Sequence, residues 1–158
     1  MKISNLQKTI SKNSAYLVIS HENRRYLTGF ASSSGYLLVT ENEAVFLADS
    51  RYIEAAKNKA EGCTAIELLT SLSSQLPEYV QKLGIETVYT EAERLGVAEF
   101  EKIKKMIPCK CIAEKCDEEI NALRRTKKEE EKKKILEAQL IAEKAFDHVL
   151  GFIKEGVT

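Results

Sequence analysis

The chain contains no tryptophan, and only two prolines, two histidines and seven glycines interrupt its 158 residues. With 44% hydrophobic residues, so few chain-breakers argue against a disordered or collagen-like polypeptide. Net charge is also missing, because 24 Lys and Arg residues balance 24 Asp and Glu residues. A phosphate-binding or membrane-surface protein ordinarily carries a basic excess, so neither nucleic acid nor a membrane is expected as a partner. No stretch approaches the roughly 18 to 20 apolar residues of a membrane span. The N-terminal MKISNLQKTISKNS lacks the apolar core and small-residue cleavage site of a secretory signal. Four cysteines, at 63, 109, 111 and 116, do not make a disulfide scaffold in a chain this long. A reducing, cytoplasmic setting is expected.

Chemistry-bearing motifs are equally scarce. No glycine loop of a phosphate-cradling kind occurs, and no histidine pair has metal-ligand spacing. His21 and His148 have no neighbouring nucleophile or orienting carboxylate, so they read as surface or partly buried side chains. Cys109 and Cys111 share one face of an expected strand, but with Cys116 they lack a fourth ligand and any CxxC knuckle. They read as small apolar residues lining a strand. No catalytic and no metal-ligating residue is therefore assigned within this chain.

What is present is periodicity. Ile3, Leu6 and Ile10 mark one face of a short helix. AYLVIS (15–20) is a buried strand, and HENRRYLTG (21–29) is a short helix or turn closed by Gly29. GYLLVT (35–40) and EAVFLA (43–48) form a hairpin across Glu41-Asn42. A helix over 50–62 places Ile53, Ala56 and Ala60 on one side, with Gly62 as its stop. TAIELL (64–69), ETVYTE (86–91) and CKCIAE (109–114) read as strands. A helix over 72–84 carries Pro77, either as a kink or in the first turn of a later start. Another over 96–107 turns Val97, Phe100, Ile103 and Ile107 inward. Alternating helices and strands imply crossovers over a mainly parallel run, with the hairpin adding antiparallel pairing. The fold class is α/β, a mixed sheet of about six strands flanked by helices.

From Lys127 to Glu155 runs the longest uninterrupted helical pattern, about 43 Å at 1.5 Å per residue. Its opening, Lys127 to Lys134, is nearly all charged and reads as a solvated face. Ile135, Ala138, Ala142, Ala145, Phe146, Val149 and Ile153 form an apolar stripe, expected to pack on the sheet or on a second copy. Gly156 is placed as the stop, and Thr158 as the cap of a further helix. These residues are therefore expected to be the front of a longer protein. The expected division is residues 1–124 as one domain and 125–158 as a linker with the first helix of another.

The most informative stretch is 24–56. Tyr26-Leu27-Thr28-Gly29-Phe30 is followed by Ser33-Ser34-Gly35, then by Asp49-x-Arg51-Tyr52 and a helix opening with Glu54-Ala55-Ala56. Taken as spacing alone, Asp49 and Arg51 are a capped strand-to-helix turn. The whole pattern resembles the creatinase/prolidase amino-terminal domain, which precedes the metal-dependent pita-bread domain of M24-type Xaa-Pro aminopeptidases and dipeptidases. Ala122-Leu123-Arg124-Arg125-Thr126-Lys127-Lys128-Glu129-Glu130-Glu131, leading to Ala138 and Ala145-Phe146, is similar to that family's junction and first catalytic-domain helix. Ser32-Ser33-Ser34-Gly35 is closer to the aminopeptidase P type, since prolidase-type members carry an Asp and a His in that loop.

The resemblance implies a six-stranded, ribonuclease H-like mixed sheet. It also implies a pair of divalent ions, manganese or similar, held by two Asp, one His and two Glu of a carboxyl-terminal catalytic domain, none of which lies here. The implied role is non-catalytic: dimerisation, and a substrate entrance shaped by Phe30, Ser32, Ser33, Ser34, Asp49, Arg51 and Tyr52. The implied partners are the catalytic domain, a second copy in a homodimer and, for the full enzyme, short proline-containing peptides. Two other readings share the residues: a creatinase-like hydrolase or inactive binding homologue of the same fold, and a stand-alone α/β interaction module.

Overall fold

A computed structural model describes residues 2–157. The elements run α1 (Lys2–Gln7), β1 (Ser14–Val18), α2 (His21–Thr28), β2 (Tyr36–Thr40), β3 (Ala44–Ala48), α3 (Ile53–Lys59), β4 (Thr64–Glu67), α4 (Leu72–Lys82), β5 (Thr87–Thr90), α5 (Val97–Met106), β6 (Lys110–Ala113), α6 (Cys116–Arg125) and α7 (Glu129–Leu150). They divide into two compact units, residues 1–123 and 124–158.

The first unit is the α/β layer that the alternation implies. Its six strands lie in the order β4-β3-β2-β1-β5-β6. β2 pairs antiparallel with both β1 and β3, and every other pairing is parallel. Strands buried on both faces need apolar residues at consecutive positions, and β3 (AVFLA) is buried throughout. One face of the sheet carries Ile3 and Leu6 of α1, Leu27 of α2, Ile53 and Ala56 of α3, and Cys116 and Ile120 of α6, packed on Tyr16, Val39 and Phe46. The other carries Leu76 and Val80 of α4 and Ile103 of α5, packed on Leu17, Leu38 and Val88.

Local expectations are adjusted in five places. The hairpin connection is Glu41-Asn42-Glu43, one residue longer than expected, because the Thr40 hydroxyl and N–H groups engage the Glu43 backbone: the Glu43 N–H donates to Thr40 Oγ1 at 2.9 Å and the Thr40 N–H to the Glu43 carbonyl at 2.8 Å. α3 begins only at Ile53, since Asp49 to Tyr52 form a turn, and it ends at Ala60 rather than Gly62. Pro77 lies inside α4, which starts at Leu72, so the Ser73 carbonyl loses its usual helical donor. Val97 is 81% exposed, because it opens α5 before the helix reaches the sheet; Phe100, Ile103 and Ile107 face inward. α6 is an element the periodicity reading passed over. Its Cys116, Ile120 and Leu123 have helical spacing, and Asp117-Glu118-Glu119 and Arg124-Arg125 match the helix dipole at its two ends.

The second unit is dominated by α7. The Glu131 carboxylate accepts the Lys128 N–H at 3.0 Å, starting the helix two residues after the expected Lys127. It ends at Gly151, not Gly156, giving 22 residues and a length of about 33 Å. No α7 residue is buried. Its stripe, including Ile135, Phe146 and Val149, stays exposed.

Candidate functional site

Two loops meet at the carboxyl end of the parallel strands. The first runs from the end of α2 to β2. Gly29 closes α2 in the left-handed conformation, its N–H donating to the Arg25 carbonyl, and so turns the chain sharply into Phe30. The second leaves β3 at Ala48 and enters α3 through Asp49-Ser50-Arg51-Tyr52. The Ser33 and Tyr52 hydroxyls join the two loops at 2.8 Å.

Asp49 organises the second loop. Its Oδ1 accepts the Arg51 N–H at 3.1 Å, and its Oδ2 accepts Arg51 Nη2 at 2.8 Å. Its carbonyl accepts the N–H groups of Tyr52 and Ile53. The expected helix cap is thus a local turn, with Tyr52 in the capping position and no side-chain cap there. The Arg51 hydrogen bond, reinforced by Ser34, holds the Asp49 carboxyl below its usual value, and the same pairing raises Arg51. The Ser33 contact lowers the Tyr52 phenol.

The expected entrance residues fall into two groups. Ser33 and Arg51 are exposed, and Ser34, Asp49 and Tyr52 are half-buried, so these five line the outer surface of the corner. Phe30 and Ser32 are buried. Phe30 stands edge-on to Phe46 and Tyr52, anchoring the loop in the core. Ser32 contributes its carbonyl, which accepts Arg24 Nη2 at 2.9 Å. Gly35 is required by space, because a Cβ there would sit 2.8 Å from Cζ of Phe46 at a φ of +130°.

Sequence reasoning missed the side chains beneath this corner. Arg24 is buried and donates to the carbonyls of both Ser32 and Gly35. Glu91, after β5, is wholly buried. Its Oε2 accepts the N–H groups of Ile19 and Ser20 at 2.6 and 2.7 Å, and its Oε1 accepts the Ser20 hydroxyl and the Asn23 amide. Asp117 takes the N–H groups of Ala92 and Glu93. A signal existed in each case: a charged residue at the end of an apolar strand or on the inner side of a helix needs partners.

These carboxylates are committed to backbone and side-chain donors. Among the described residues, no three His, Cys, Asp or Glu side chains converge as a metal site. The four cysteines are free thiols. Burial pushes Cys63 and Cys111 up to about 11 and raises Cys116 well above the ordinary thiol value, which disfavours the thiolate a metal requires. The residues present do not fit the pair of divalent ions that the resemblance implies. His21 is an exposed first residue of α2, and His148 meets Phe152 edge-on with centroids 4.8 Å apart. Among the described residues, no helix is long and apolar enough to cross a membrane.

Comparison with known proteins agrees with this architecture. The Creatinase/Prolidase N-terminal domain matches residues 2–126. The uncharacterized peptidase YqhT of Bacillus subtilis (strain 168) is 32% identical over 142 residues, covering 90% of this chain and 40% of the relative. An Xaa-Pro dipeptidase from Bacillus anthracis superposes with a TM-score of 0.88 at 28% identity, over 99% of this chain and 44% of that one. The prolidase from Pyrococcus horikoshii OT3 gives 0.81 at 27% identity, over 99% and 44%. An X-Pro aminopeptidase from Thermotoga maritima MSB8 gives 0.77 at 28% identity, over 97% and 44%. The chain spans less than half the length of these relatives. From the matched residues and the shared sheet together, the chain belongs to the creatinase/prolidase N-terminal domain family.

Proposed function

We propose that this chain is the non-catalytic amino-terminal part of a cytoplasmic, metal-dependent Xaa-Pro aminopeptidase or dipeptidase, and that its exposed corner borders the substrate entrance. Residues 125–158 are read as the linker and first helix of the catalytic domain, which supplies the ligands for two divalent ions. The whole enzyme acts on short proline-containing peptides as a homodimer. The observation that carries the reading is the Ser33–Tyr52 bridge beside the Asp49–Arg51 pair. It presents hydroxyls, a carboxylate and a guanidinium at one exposed edge, groups suited to a peptide's amide, amine and carboxylate. Phe30 and the carbonyl of Ser32 hold that edge from below.

The test is a chimera in which this chain replaces the matched 44% of the Bacillus anthracis Xaa-Pro dipeptidase. The chimera is expected to release proline from Xaa-Pro dipeptides. Replacing Ser33, Ser34 and Arg51 with alanine is expected to change kcat/KM by about tenfold or more with bound metal unchanged, the scale on which lost orienting contacts act. Unchanged kinetics would remove the corner from the entrance. Sedimentation equilibrium of the same chimera reads the dimer directly.

A further inference from the structure

The sheet has a point where its connections diverge. β1 and β5 are parallel neighbours, yet β1 leads into α2 on one face and β5 leads into α5 on the other. In doubly wound sheets, the crevice at such a point is where polar ligands reach the strand ends. Here the crevice is filled by the chain's own Glu91.

Four donors converge on that carboxylate: two backbone N–H groups from the end of β1, the Ser20 hydroxyl and the Asn23 amide. Ser20 stands at the N-cap of α2 and makes no side-chain cap of its own, so Glu91 takes that part from another strand. One residue beyond Asn23, Arg24 leaves α2 and donates to the carbonyls of Ser32 and Gly35. Arg24 is 2% exposed, and burial disfavours its cation. The Glu91 charge is the foremost influence acting the other way. Two buried, opposite charges are thereby linked through a single helical turn. One is held chiefly by the strand end, and the other engages the loop through Nη1 and Nη2.

We propose that Glu91 is a positioning residue for the 30–35 loop, acting through α2 and Arg24 rather than through any contact with the loop itself. The proposal rests on the entrance reading only for what the loop is used for; the placement of the loop is measured independently. Glu91 fixes the start of α2, the start of α2 sets the direction of Arg24, and Arg24 sets the pose of the Ser32 and Gly35 carbonyls. The neutral amide of a Glu91→Gln variant offers one acceptor where the carboxylate offers two, and turns a donor toward other donors.

The experiment is NMR relaxation on the whole 158-residue chain. In the unaltered protein, Ser33, Ser34 and Gly35 are expected to show rigid order parameters near about 0.85. In Glu91→Gln they are expected to fall below about 0.6, while the residues of β6 keep their values. An Arg24→Met variant is expected to loosen the same three residues. Adding Glu91→Gln to it is expected to change them no further, because the path is already cut. Additive loosening in the double variant, or a loop that stays rigid in folded Glu91→Gln, would overturn the proposal. Should Glu91→Gln not fold, Asn23→Ala removes one donor and leaves the carboxylate. A local loss of loop order there supports the path, and its absence overturns it. None of these readouts involves peptide turnover, so a failed chimera and a failed positioning path are told apart.

Discussion

Residues 2–123 and 124–157 have comparable means of forming helix but opposite outcomes in burial. In the first region each helix that covers the sheet places a few apolar side chains on it, and Phe46, Leu47 and Ala48 are wholly shielded. In the second, α7 carries Ile135, Leu136, Leu140, Ile141, Phe146, Val149 and Leu150, all at least half exposed. Amphipathic spacing is therefore sufficient to specify a helix, but burial requires a second surface. α7 depends on charge for its local order: Glu131 caps the Lys128 N–H, and Lys132 pairs with Glu129 at 2.7 Å. Exposed pairs of this kind contribute little each, so α7 is the less stable region.

The largest expected effect lies in the first region. Phe46→Ala removes a fully buried ring that meets Phe30 and packs at Gly35, and it is expected to cost about 3 to 5 kcal/mol in urea unfolding. A loss below about 1 kcal/mol would mean that this core is no better packed than α7.

A smaller effect is expected from pH. Asp49 is held below its ordinary carboxyl value of 3.8 by Arg51. Its contribution to folding is therefore present in full above that value and is lost as pH falls through the lowered one. Asp49→Asn is expected to reduce the acid-side slope of the melting temperature below about pH 4 and to leave its shape near neutrality unchanged. Identical acid slopes would show that the Asp49–Arg51 pair adds nothing to the fold.

The smallest effect is expected in α7. Leu140→Ser and Ile141→Ser together are expected to shift unfolding of the sheet region by no more than about 0.5 kcal/mol. A loss above about 2 kcal/mol would end the contrast between the regions, because only buried side chains cost that much.

How much of this was legible in the sequence follows from the same physics. All six strands and the helices that lie between them are readable, because consecutive apolar residues and three-or-four spacing are local signals. α6 is hidden since six of its ten residues are polar or charged, leaving Cys116, Ile120 and Leu123, beside the small Ala122, to mark its inner side. Val97 misleads by matching the apolar spacing of α5 one turn before the helix meets the sheet. At the corner, the Asp49–Arg51 turn is readable because its partners are two residues apart. The Ser33–Tyr52 bridge spans 19 residues and the Glu91–Asn23 contact 68, and no local pattern records contacts of that range. Ser32 shows the limit in a single residue. Beside Ser33 and Ser34 it looks like a third exposed hydroxyl, yet it is buried and acts through its carbonyl.

The central claim is that peptide hydrolysis needs machinery beyond these residues. Incubating the purified 158-residue chain with an Xaa-Pro dipeptide, with and without manganese, and measuring free proline tests it most directly. The expected result is no release above the protein-free rate under either condition; release that depends on manganese would contradict it.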